Sequence, residues 1–127
     1  MKVSPRLRET LARYATIEKE LEAIGLRTDQ ERKQALVHWR RQLSEQIGLL
    51  SPLIDQDPDL TRNLDMHREL SKRFTAMRYG LALHQASWPA VRIDEDPVAY
   101  RASARDVQEK SRLFWQWCGE HLGVNRG

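Results

Sequence analysis

Residues Tyr79 to Arg101 read Tyr-Gly-Leu-Ala-Leu-His-Gln-Ala-Ser-Trp-Pro-Ala-Val-Arg-Ile-Asp-Glu-Asp-Pro-Val-Ala-Tyr-Arg. This is the one place where a strong helical pattern gives way to a substantial connection. Pro89 pushes the residue before it out of the helical region, which ends a helix near Ser87 or Trp88. Asp96-Pro97 starts the next one, with Asp96 as cap and Pro97 at the first position, where its missing N–H costs nothing. Ala90 to Glu95 is too short and too mixed to form a sheet. It reads as an extended connection, longer than chain reversal needs, whose apolar Val91 and Ile93 fold down onto the helices.

Upstream of this connection, Leu60, Leu64, His67, Leu70, Phe74, Met77, Leu81, His84 and Trp88 recur at spacings of three and four, one face of a helix. Asp57 caps it and Pro58 takes its first position, so it spans 58–87 and is the longest helix, about 45 Å. Downstream, Tyr100, Ala104, Val107, Ser111, Phe114, Cys118 and His121 form the seam of a helix over 97–122, widened by Leu113, Trp117 and Leu122. Gly123 closes it, and the tail from Asn125 to Gly127 frays.

Toward the start, Ser4-Pro5 opens a helix over 5–24 with Leu7, Leu11, Tyr14, Ile17, Leu21 and Ile24 on one face, and Gly25 suits a left-handed close. Thr28 and Glu31 form a capping box for a second helix over 29–50, whose face is Leu36, Trp39, Leu43, Ile47, Leu50 and Ile54. Arg40 and Arg41 lie off that stripe, and Ser51-Pro52 bends or ends the helix. The fold expected is all-α: an up-down-up-down four-helix bundle in one domain, 1–127, about 70% helical against a base rate near one third. Three helices with a split second one is the alternative.

Composition narrows the class. With 40% hydrophobic and 31% charged residues and few glycines, the chain can build a core and is neither disordered nor fibrous. The single cysteine, Cys118, excludes an internal disulfide and a thiolate zinc cluster, and reads as a buried structural thiol in a reducing compartment. No apolar stretch serves as a signal peptide or membrane span, so the expected setting is the cytoplasm, with no membrane contact. The net charge is +3, but basic and acidic residues alternate along every segment, which argues against nucleic acid as a partner.

Catalytic and metal signatures are missing. His67 and His84 share a face but stand about 25 Å apart along a helix, too far to share a metal. Glu-x-x-His, His-Glu-x-x-His, a phosphate loop and a Gly-x-Ser-x-Gly elbow do not occur. Glu18 to Glu22 and the other acids fall on solvated faces. No cofactor, metal or catalytic residue is therefore assigned, and the expectation is a binding protein rather than an enzyme.

The aromatic cluster carries the leading functional reading. Phe114, Trp115 and Trp117 cannot all share one helical face, so Trp115 is expected at an edge, and an edge tryptophan is a frequent interface anchor. Trp88, Tyr100, Trp115 and Trp117 are the candidate contacts for another protein or a second copy of the chain, as in adaptors, chaperones and regulators. The alternative is a ligand-binding or enzymatic pocket between the last two helices, with His84, Gln85, Tyr100 and His121 as its polar groups. A third reading is nucleic-acid binding through Arg68, Lys72, Arg73 and Arg78. Convergence of two or more of the pocket groups in a concave site is the feature that favours the second reading over the first.

Overall fold

A computed structural model describes residues 1–127, of which 77% are helical with no strand. The helices are α1 (Pro5–Ile24), α2 (Arg32–Gln56), α3 (Leu64–Ser87) and α4 (Pro97–Leu122), with a 3-10 turn at Ala90–Arg92 between the last two. This is the all-α four-helix bundle that the periodicity predicts. No helix is long and apolar enough to cross a membrane.

Two helices keep their predicted bounds because their caps work as expected. The Ser4 hydroxyl accepts from the Leu7 N–H at 3.4 Å, the Asp96 carboxylate accepts from Ala99 at 3.1 Å, and Gly123 closes α4 at φ 65° in the left-handed region. The other two shift. The Thr28–Glu31 capping box does not form: α2 starts at Arg32, and Glu31 makes no side-chain capping bond. Gly25 is right-handed, not left-handed, with φ −61°.

Pro52 neither ends nor splits α2, which runs on to Gln56. The backbone bond lost at Pro52 lies on an exposed face, whereas Leu50 and Ile54 are buried on either side of it, so packing holds the helix through the break. The third helix is not the longest. It starts at Leu64, where Asn63 accepts from the Met66 N–H at 3.2 Å, and at 24 residues it is shorter than α2 at 25 and α4 at 26.

Asp57 still acts as a cap, but of the turn before α3. Its buried carboxylate takes the Ser4 N–H at 3.0 Å on one oxygen and the N–H groups of Asp59 and Leu60 at 3.2 and 3.1 Å on the other. Burial opposes its charge, but these donors outweigh burial and hold the carboxyl below its ordinary range. Asp57 thus caps the turn that precedes α3 and, with its other oxygen, ties that turn to the start of α1.

Similar pairings bring the helix ends together. The start of α1 meets the turn after α2 through Asp57, Arg40 of α2 donates to the Trp88 carbonyl at the end of α3, and His84 of α3 meets Ser103 near the start of α4. The tail does not fray: Val124 is buried, Lys19 donates to the Gly127 carbonyl at 3.0 Å, and Arg126 pairs with Glu22 at 2.6 Å.

The core divides in two. A large cluster, including Leu7, Leu11, Tyr14, Leu50, Leu70, Phe74, Phe114, Trp115 and Cys118, fills one half of the bundle. A small one, Ile24, Leu36, Ala90 and Ile93, closes the other end. The link after α3 supplies half of that second cluster, and Arg32 and Lys33 at the start of α2 clamp it through Asp94. Ile93 thus folds down as predicted, but Val91 stays 79% exposed.

Trp115 is the largest correction. It is 5% exposed, and its indole N–H donates to Glu18 at 2.6 Å, while Phe114 and Trp117 are buried as well. One helical face cannot hold all three, but α4 is flanked by two: Phe114 faces Phe74 of α3 at 6.2 Å, and Trp115 faces Tyr14 of α1 at 6.2 Å. Burying an aromatic of this size removes about 150–250 Å² from water, worth roughly 4–6 kcal/mol as an upper estimate.

Of the two leucines expected to widen the α4 stripe, Leu113 is 47% exposed, whereas Leu122 is 1% exposed. Leu122→Ala is therefore expected to cost about 3 kcal/mol and lower the melting temperature by roughly 10 °C. Leu113→Ala should change stability by less than about 0.5 kcal/mol. Paired thermal melts check which face of α4 is buried, and equal losses would refute this register.

Candidate functional site

Between the two core clusters lies a cavity of about 230 Å³ to which all four helices contribute. It arises from an uneven distribution of bulk along the seams. The half of α4 beyond Ser111 carries Phe114, Trp115 and Trp117, and these set the spacing of the helices. The half before it presents Ala104, Val107 and Ser111, which are too small to fill that spacing. No Cα of α1 comes within 8 Å of one in α4, so this seam is spanned by side chains alone. Native interiors are otherwise close-packed, and a gap on this scale has no packing function.

Leu21, Leu26, Leu36, Leu43, Leu81 and Val107 form the apolar wall. Against it stand the polar groups. His84, Gln85 and Tyr100 converge on the cavity, three of the four expected there. Nδ1 of His84 lies 2.6 Å from the Ser103 hydroxyl, and its ring stacks on Tyr100 at 5.7 Å. His121 does not join them. It is exposed near the far end of α4, stacked on Trp117 at 5.0 Å, and the 21 residues from Tyr100 place it about 32 Å away along the helix.

The proposed partner contacts fare unevenly. Trp117 is 7% exposed beneath the Arg73 guanidinium, and Trp115 is in the core, so neither presents a surface. Trp88 and Tyr100 are partly buried against each other at 5.8 Å, with Arg92 over the Trp88 ring. These two support the cavity end of the bundle: the Trp88 carbonyl anchors Arg40 at 2.7 Å, and Tyr100 lines the site.

Periodicity missed Glu18, Arg40, Arg101 and Arg105. Glu18 follows Tyr14 by one turn, so it faces α4 rather than solvent and accepts from Trp115 and the Ser111 hydroxyl. Burial raises its pKa, against the opposing pull of those two donors. Arg40, set off the stripe in the sequence reading, stands four residues after Leu36 and three before Leu43, which is the same face. Its guanidinium is partly buried, and burial lowers its pKa. Arg101 and Arg105 lie at the exposed mouth. The signal for Arg40 was its i, i+4 relation to Leu36; for the mouth arginines there was none.

Burial, and then the charge of Arg40, push the His84 pKa down from 6.5 to about 4. The unfolded chain therefore takes up this proton first as pH falls. The stability contributed by neutral His84 is complete above about pH 6.5 and is lost between there and about pH 4. The His84 ring resonance is expected to stay flat from about pH 8 to about pH 5.5, and an inflection near 6.5 would refute the buried, neutral placement. No family model, curated protein or solved structure matches the chain, which leaves the chemistry of this site to indicate its use.

Proposed function

We propose that the protein is a small-ligand-binding helical bundle, and that its ligand occupies the cavity between the two core clusters. The convergence of His84, Gln85 and Tyr100 on one concave, largely apolar site supports this reading. Apolar walls supply affinity and a few fixed polar groups supply orientation. At about 230 Å³ the cavity falls just below the roughly 300–1,000 Å³ range of small-molecule sites, so the ligand is small. Two hydroxyls stand beside bases, but Ser103, on His84, does not line the cavity, and Ser111 shares the Glu18 carboxylate with the Trp115 indole, so binding rather than catalysis is the activity proposed.

A cytoplasmic setting goes with this reading. Its support is Cys118, fully buried and with its thiol pushed up to about 12 by burial, which makes it a packing residue rather than a disulfide partner. The test of function is a fragment screen by methyl NMR on the full chain. Hits are expected to shift Leu21, Leu36, Leu81 and Val107 together, and Ala104→Trp, which fills the cavity, should abolish them. Shifts confined to the outer surface, or hits untouched by Ala104→Trp, would sink the proposal.

Docking to a second copy is a separate reading, supported by Tyr79 and Leu83. They are 66% and 52% exposed one turn apart on α3. On that reading sedimentation at tens of micromolar should give a dimer that Leu83→Lys converts to monomer. A wild-type monomer would dispose of it.

A further inference from the structure

We infer that the ligand is a small amphipathic anion, with a carboxylate or phosphate head on Arg40 and a short apolar tail along Leu36, Leu43, Leu81 and Val107. This rests on the ligand-binding reading and adds the chemical class. Arg40 is partly buried, and among protein groups its guanidinium donates only to the Trp88 carbonyl, at 2.7 Å. A guanidinium carries five N–H donors in a planar fork that matches a carboxylate or phosphate.

No carboxylate forms an ion pair with Arg40, nor with Arg101 or Arg105 at the mouth. The two acids of the cavity already have partners. Glu18 accepts from Ser111 and Trp115, and Glu22 is paired with Arg126 at 2.6 Å. With Glu22 matched by Arg126, Arg40, Arg101 and Arg105 stand against Glu18 alone, so the net charge of the site is positive. A cation held partly out of water without a counter-ion is costly, and an anionic ligand relieves that cost while the apolar wall takes its tail.

The neighbouring groups agree with this. His84 is neutral beside Arg40 and does not compete as a second cation, and Gln85 and Tyr100 can complete the coordination of an oxyanion by donating hydrogen bonds. A ligand with a cationic head would meet three arginines, whereas a neutral one would leave Arg40 as it stands.

The experiment is calorimetric titration of the full chain with octanoate, octyl phosphate and octanol, which share a tail and differ in the head. At least one of the two anions is expected to bind about tenfold or more tightly than octanol, and the tighter of them identifies the head as carboxylate or phosphate. Arg40→Gln should bring that anion down to the level of octanol and leave octanol unchanged. Arg40→Gln also removes the tie to Trp88, so the wild-type chain supplies a second readout. A bound anion should raise the pH at which the His84 resonance titrates, and octanol should not.

Octanol binding at the cavity as tightly as both anions, with no movement of the His84 titration, would overturn the anionic assignment while leaving the ligand-binding reading intact. If none of the three shifts Leu81 or His84, while the fragment hits that Ala104→Trp removes persist, the assignment alone fails. If those hits are missing too, the ligand-binding reading fails with it.

Discussion

Trp115 holds α1 and α4 apart. Its indole reaches across the seam to the Glu18 carboxylate and packs beside Tyr14 and Phe114, so the separation of the two helices is the width of an aromatic side chain plus a hydrogen bond. Much else depends on that spacer. The large core cluster closes around it, and the tail after α4 lies back along α1, with Arg126 on Glu22. Helices are stiff, so a separation set in one half of the bundle persists into the other.

The cavity follows from this. On α4 the inward residues shrink from Phe114 and Trp115 to Ser111, Val107 and Ala104, while the helix axes stay where the aromatics put them. Beyond the gap, the link between α3 and α4 closes the end of the bundle by laying Ala90 and Ile93 against Ile24 and Leu36, with Asp94 clamped by Arg32 and Lys33. Its extra length over a minimal turn is therefore structural: it supplies half of the second core cluster. One half of the molecule supplies stability, and the other trades packing for space.

Burial also sorts the ionisable groups. Glu18 and Asp57 are both carboxylates withdrawn from water, yet their pKa values move in opposite directions. Asp57 accepts three backbone N–H bonds, which outweigh its burial, whereas the two side-chain donors of Glu18 do not. His84 and Arg40 stand side by side as potential cations, and the weaker base gives way, so of the two only Arg40 carries charge. Of the three lining arginines without an ion-pair partner, Arg40 is the one that is partly buried.

The helices themselves were legible in the sequence because their information is local. Seams at spacings of three and four, Asp-Pro and Ser-Pro starts, and a glycine at the end of α4 each act within a turn or two, and α1 and α4 match to the residue. The misread starts had local competitors. Thr28–Glu31 and Asp57-Pro58 are valid capping patterns, but Glu31 makes no capping bond, and the turn that Asp57 caps stops short of Leu64, where Asn63 starts the helix. The convergence of His84, Gln85 and Tyr100 was legible because the end of one helix and the start of the next must meet across a short link. Where His121 lies, how Trp115 is buried, and which way Glu18 and Arg40 point were settled only by tertiary structure. A helix has a face for each neighbour, and one periodic pattern cannot say how many neighbours there are or how wide the gap between them is.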